Sequence, residues 1–120
     1  MANPNIVNVA NIYGNTSVLA VSTVASNVVQ NSATSSSLYK INTLTVANIN
    51  AYSSAVAVTV QLNQAGTLTT LAQSMVVPSN TSLVIMGKDT PIYLLENHSI
   101  QLTAGSNNSL TAIISYEQIS

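Results

Sequence analysis

The chain has 120 residues, enough for one domain, and it contains two basic residues, three acidic residues and no cysteine. Charged residues make up 4% of the sequence, against about 25% in an ordinary soluble domain. Two cations cannot neutralise a run of phosphates or a patch of anionic headgroups, and no segment has the length and apolarity of a membrane-spanning helix. We therefore expect neither nucleic acid nor a membrane as a partner.

Residues 1–16 are predicted to form an extended N-terminal arm in front of a folded domain of residues 17–120. The segment holds five asparagines, a proline and a few isolated apolar residues. Such an arm could contribute a strand to a neighbouring subunit, and the alternative is a loosely ordered chain end. The candidate assembly contacts on the arm are Asn3, Pro4, Asn5, Ile6, Val7 and Tyr13.

Beyond the arm, apolar and polar residues alternate with the period of two that is typical of β-strands. In residues 55–62 the apolar face consists of Val56, Val58, Val60 and Leu62. Residues 82–86 are mostly apolar, which predicts a strand covered on both faces. In chain order, the predicted strands are residues 18–23, 27–30, 39–49, 55–62, 67–77, 82–86, 92–95, 99–103 and 110–119.

Turn residues separate these segments at intervals of roughly 8–12 residues. Hairpin loops are predicted at 63–66 and 105–108, turns at 78–80 and 87–91, and a serine-rich loop at 34–37. The hydrophobic fraction of 47% provides enough apolar surface for a folded core. The pattern predicts an all-β fold, an antiparallel β-sandwich of about eight strands with either jelly-roll or immunoglobulin-like connections.

No catalytic, metal-binding or cofactor-binding residues are predicted, and we expect no enzymatic activity. His98 lies two residues from Glu96, but one histidine and three acids do not supply a convincing metal site, and a place in a turn is the simpler interpretation. The few titratable groups are also too sparse for acid–base catalysis. Five tyrosines could build a sugar-stacking platform, but their scatter along the chain favours core and interface positions. They are Tyr13, Tyr39, Tyr52, Tyr93 and Tyr116.

The lack of charge predicts self-association. Edge strands are usually protected from pairing by lysines, inward-pointing charges or bulges, and the sequence shows almost no such protection. Uncharged strands of high β-propensity must then be covered within the domain or by another chain. Short Ser, Thr and Asn side chains suit the second solution, because little entropy is lost when they are immobilised. We expect a homo-oligomer with cyclic symmetry, a trimer being favoured.

Several segments between residues 38 and 119 resemble small structural proteins of tailed bacteriophages, particularly marine and cyanobacterial phages. The resemblance lies in strand and turn patterning, and Asn97-His98 stands where such proteins usually have Gly-Asp. It implies a virion component that is made in the host cytoplasm and assembled in many copies with the major capsid protein or other virion proteins. The segments that carry it are residues 38–49, 56–60, 77–83, 91–94 and 115–119.

The function expected from this resemblance is capsid decoration. A decoration, or cement, protein sits on the head lattice and joins neighbouring capsomers through many weak contacts, here with the arm reaching across a seam. An adaptor at the neck, tail or fibre base is the structural alternative. A module that binds host glycans is the alternative from a different functional class.

Overall fold

The computed structural model describes residues 11–49, 55–87, 92–105 and 110–119, in which all regular structure is β. Nine strands form two antiparallel sheets that pack as a sandwich, which confirms the predicted fold class. The strands are β1 (Ile12–Val21), β2 (Ser26–Gln30), β3 (Leu38–Asn48), β4 (Val56–Gln64), β5 (Thr67–Val77), β6 (Ser82–Met86), β7 (Ile92–Leu94), β8 (His98–Ala104) and β9 (Leu110–Ile119).

The strand order decides between the two predicted topologies. Sheet I has the order β1-β9-β3-β6, with β7 also pairing β3, and sheet II has the order β2-β8-β4-β5. The pairs are therefore nested: β1 with β9, β2 with β8, β3 with β6 and β7, and β4 with β5. A long hairpin that is rolled into two sheets produces this nesting, so the sandwich is a jelly roll in which β6 and β7 share one strand position.

Most predicted strand bounds agree with the structure, and β5, β6 and β9 agree at both ends. The first strand differs, because β1 begins at Ile12 and not at residue 18. Residues 12–16 of the predicted arm therefore belong to a strand that pairs with β9 of the same chain. Residues 1–10, with the rest of the predicted arm, lie outside the described residues.

The core lies between the sheets and is built from the side chains on the apolar, inward-facing side of the strands. Val56, Val58 and Val60 are buried as predicted, and Leu62 packs against them from a partly buried position. Each fully buried Val, Leu or Ile contributes roughly 1.5–3 kcal/mol relative to exposure. The largest fully buried side chains include Ile41, Leu44, Leu94, Ile100, Leu102, Leu110 and Ile114.

The expectation that residues 82–86 are covered on both faces is wrong. Burial alternates along β6, and Val84 is 62% exposed. The reason is its position: β6 lies at the edge of sheet I, and no described strand covers the outer face of that sheet. The apolar residues on both faces of this strand therefore include an apolar surface that no described strand covers.

Two buried asparagines tie the ends of the sandwich together. The side-chain amide of Asn31 donates to the carbonyl oxygens of Ser37 and Leu94, both at 2.9 Å, and its carbonyl oxygen accepts from the Ser35 hydroxyl. Asn48 in β3 donates through Nδ2 to the carbonyl oxygen of Val77 at 2.8 Å. Because buried polar groups are stable only when hydrogen-bonded, these bonds hold each loop in one position.

Candidate interaction surfaces

The outer face of sheet I carries a row of β-branched side chains that crosses four strands. Val18 of β1 lies opposite Ile113 of β9, which lies opposite Thr45 of β3, which lies opposite Val84 of β6. Val18 is 64% exposed, Ile113 41% and Val84 62%. A second row, Ala20, Thr111, Ala47 and Ser82, runs beside the first. We call these two rows the aliphatic face.

The charged groups on the outer face of sheet I neutralise each other. Lys40 of β3 lies opposite Glu117 of β9, two outer rows from Val18 and Ile113, and Lys40 Nζ is 4.0 Å from Glu117 Oε1. The same carboxylate oxygen accepts a hydrogen bond of 3.3 Å from the side-chain amide of Asn42. A half-exposed pair of this kind adds little stability. It does leave the described part of this surface without net charge.

The outer face of sheet II has a different chemistry. Asn27, Gln101, Gln61 and Thr70 form a row across β2, β8, β4 and β5, which we call the amide row. Its side chains bond to their neighbours: Asn27 Nδ2 donates to Gln30 Oε1 at 3.3 Å, and Gln61 Nε2 to Thr70 Oγ1 at 3.5 Å. Exposed apolar residues on this face lie along β5, where Val76 is 60% exposed. The two faces of the sandwich are therefore not equivalent.

Three of the edge strands are protected by bulges, which corrects the expectation of almost unprotected edges. The pairing register shifts within the β2–β8, β3–β6 and β4–β5 ladders. In β5 the irregular region includes Ser74, which has a positive φ of 49°. Bulges bend and twist an edge and so hinder pairing with another chain. By contrast, β1 keeps one register against β9 from Ile12 to Val21.

His98 and Glu96 serve local structure. Nδ1 of His98 accepts a hydrogen bond of 3.2 Å from the backbone N–H of Leu95, and Oε2 of Glu96 accepts one of 3.2 Å from the backbone N–H of Ser36. Both bonds stabilise the turn between β7 and β8, in which Asn97 has a positive φ of 65°. The described residues contain no cluster of three or more potential metal-ligating His, Cys, Asp or Glu residues. They also contain no helix long and apolar enough to span a membrane.

The described tyrosines all lie on strands of sheet I. The rings of Tyr39 and Tyr116 stack with their centroids 5.0 Å apart and their planes at 22°, and both rings pack against the core. Burial, and then the neighbouring Tyr39, raises the pKa of Tyr116 above its usual value. Tyr93 is 42% exposed on β7. These positions do not build a ring platform on a loop.

Tyr13 is the one candidate arm contact that the described residues include. It belongs to β1, lies opposite Gln118 of β9 and is 57% exposed. Asn3, Pro4, Asn5, Ile6 and Val7 lie outside the described residues. The structure thus brings Tyr13 to the exposed rim of sheet I.

No protein-family model matches the chain, and no curated protein is significantly similar to it. The similarity to phage structural proteins thus remains a prediction from the sequence.

Proposed function

We propose that this chain is a structural subunit of a virus particle, a capsid decoration (cement) protein of the tailed-bacteriophage type that docks through its aliphatic face. The observation that supports the proposal is the contiguous row Val18, Ile113, Thr45 and Val84, which is apolar except for the Thr45 hydroxyl and is uncovered by any described residue. Contiguous exposed apolar surface is typical of interaction sites. A jelly roll is compatible with this use, but the fold alone does not assign it.

The chemistry of the face suits docking in many copies. Burial of apolar surface stabilises a contact by roughly 25 cal/mol for each Å², and one small row therefore gives a weak contact. On a lattice, where each subunit touches several neighbours, weak contacts add up to firm attachment. Because the face carries no net charge, salt should have little effect on its binding.

In this proposal the partners are the major capsid protein, or another virion protein, and further copies of the same chain. A homo-oligomer would present several aliphatic faces to the lattice at once. A neck, tail or fibre-base adaptor would use the same surface and would differ in copy number. Quantitative mass spectrometry of purified particles separates these roles, since a cement protein approaches the copy number of the capsid protein and an adaptor is far rarer.

The amide row supports one alternative, a module that binds host glycans. Its amides could bond to sugar hydroxyls, as the side chains of Asn27 and Gln61 already bond to neighbours. Glycan sites usually add an aromatic ring for stacking, and the described tyrosines are all on sheet I. Glycan-array binding by the isolated chain would favour this alternative over decoration.

The docking face can be tested with two matched valines. Val84 on sheet I and Val76 on sheet II are 62% and 60% exposed and lie on opposite outer faces. Val84→Asp places a charge in the proposed contact, so it should abolish incorporation of the chain into particles of the virus that encodes it. Val76→Asp should incorporate like the wild-type chain. Equal incorporation of both variants, or absence of the wild-type chain from the particles, would refute the proposal.

A further inference from the structure

Strand β1 is a long edge strand of this sandwich. Nothing in the described part of the chain hinders its pairing with a strand of another chain. It runs through ten residues, Ile12–Val21, without a register shift against β9. The other edges are shifted, as in β2, β5 and β6, or are as short as the three residues of β7. On a strand that is paired on one side, alternate residues direct their N–H and C=O groups away from the sheet. These groups of β1 can therefore pair with another strand.

The occupant that this edge fits best is a second β1. In a twofold contact each residue meets the same surface of its partner, so any charge near the axis faces its own copy. Neither β1 nor β2 contains a charged residue. The two strands flank the same edge of the sandwich, because the hydroxyl of Ser17 donates to the carbonyl oxygen of Val28 at 2.9 Å. Two copies can thus approach along this edge without repulsion between like charges.

The alternation of side chains restricts the register of such a pair. In β1 the even-numbered residues, such as Thr16 and Val18, lie on the outer face. A twofold axis perpendicular to the sheet leaves the outer faces of both copies on the same side of the joined sheet. An outward-facing residue of one β1 must therefore lie opposite an outward-facing residue of the other β1. Since outward-facing residues have even numbers and the rest have odd numbers, the numbers of two opposed residues must add up to an even sum. The registers with the longest overlap are centred on Thr16 or on Ser17.

We propose that two copies of this chain join through antiparallel pairing of their β1 strands, which makes sheet I continuous across the dimer. The inference rests on the proposed function in one respect, because an assembly subunit must contact other copies of itself. It names one such contact. The pairing also joins the two aliphatic faces into one surface, since Val18 lies on the outer side of β1. A threefold ring would instead need β1 to meet a different edge of the next copy.

A pair of matched threonines tests the dimer with the isolated chain and no particles. Thr16 in β1 and Thr70 in β5 are both exposed residues of edge strands. Sedimentation equilibrium should show a dimer for the wild-type chain and for Thr70→Lys. Thr16→Lys places two like charges near the axis and should raise the dimer Kd by about tenfold or more. A wild-type monomer at millimolar concentration, a trimer that Thr16→Lys leaves intact, or an equal effect of both lysines would overturn the inference.

Crosslinking checks the register by a second route, because the natural chain has no cysteine. Opposed residues of antiparallel strands have Cα atoms about 4.5–5.5 Å apart, within the range of a disulfide. Thr16→Cys alone should form an intermolecular disulfide if Thr16 is central. A mixture of Thr16→Cys and Val18→Cys chains should form it if Ser17 is central. Val84→Cys on the opposite edge is the control, and crosslinking of the β1 cysteines no faster than that of Val84→Cys would contradict the pairing.

Because these measurements use the chain alone, they separate the dimer from its proposed use. A wild-type chain that is incorporated into particles but forms no dimer in solution would refute the β1 contact and leave the decoration role standing. A wild-type chain that forms the β1 dimer but is absent from particles would refute the decoration role and leave the β1 contact standing.

Discussion

Asn31 shows how single polar side chains hold this sandwich together. Its side chain is completely buried and bonds to the backbone of the loop before β3 and to β7, while its backbone N–H and C=O bond to His98 and Asn97. Four chain segments therefore meet at one residue. An amide that satisfies several backbone groups in the interior cannot be replaced by an apolar side chain without leaving those groups unpaired.

Asn31→Ala should destabilise the protein by about 2–4 kcal/mol, because two buried carbonyl oxygens lose their donor and a small cavity remains. Asn27→Ala is the matched control. Asn27 is exposed, and its side-chain amide donates to the exposed Gln30 at 3.3 Å, so its loss should change stability by less than about 0.5 kcal/mol. Urea unfolding of both variants measures the difference. Equal effects would show that Asn31 does not tie the segments together.

Tyr116 should make the stability of the fold depend on alkaline pH. Burial and the neighbouring Tyr39 raise the pKa of this phenol in the folded protein, so the folded state holds the proton more tightly than the unfolded chain. The resulting stability is complete below about pH 10 and is lost as the pH rises through the folded pKa. Tm should therefore fall at alkaline pH, and Tyr116→Phe should reduce this fall. Tyr93→Phe, which removes an exposed phenol, should leave it in place, and identical profiles for the two variants would contradict the assignment.

At the scale of elements, the β4–β5 hairpin shows how local chemistry and pairing combine. Its turn consists of Ala65 and Gly66, with φ values of 55° and 102°, and Oδ1 of Asn63 accepts a hydrogen bond of 2.8 Å from the N–H of Gly66. Two positive φ values in a two-residue loop are typical of a type I′ turn, which matches the twist of the strands. Glycine adopts this conformation without strain, whereas alanine does not.

Ala65→Asn should therefore stabilise the hairpin, because asparagine tolerates the left-handed conformation and Asn-Gly is the preferred type I′ pair. We expect a gain of about 0.5–1 kcal/mol in the free energy of unfolding. Ala55→Asn is the control: Ala55 is exposed just before β4 and has no positive φ. Thermal unfolding of both variants measures the effect. A loss of stability in Ala65→Asn would mean that the turn has another geometry.

The strand pattern was predictable because burial on one face repeats every second residue, and β4 shows this through Val56, Val58 and Val60. The start of β1 was not predictable. Gly14, Asn15 and Thr16 form a weak local strand pattern, and they are strand residues because β9 pairs with them over its full length. The bulge near Ser74 was also hidden, since a register shift depends on the partner strand. Local periodicity predicts strands, whereas pairing decides their ends and irregularities.

At the scale of the whole molecule, the separate chemistry of the two outer faces is the main result. The aliphatic face arises only when register aligns Val18, Ile113 and Val84 from three distant segments. The sequence did contain a signal for this face, because β6 and β9 carry apolar residues on both faces of the strand, as in Leu83-Val84-Ile85 and Ile113-Ile114. The scarcity of charge predicted association with other chains, but it did not indicate an apolar outer face. The position of this face follows only from the strand pairing.

The central claim is that this sandwich works in contact with other chains through surfaces that carry no net charge. Sedimentation equilibrium of the isolated wild-type chain, from micromolar to millimolar concentration at low and high salt, tests it most directly. We predict an average mass that rises with concentration by the same amount at both salt levels, because screening hardly affects uncharged contacts. A chain that stays monomeric at millimolar concentration, or an association that high salt abolishes, would contradict the claim.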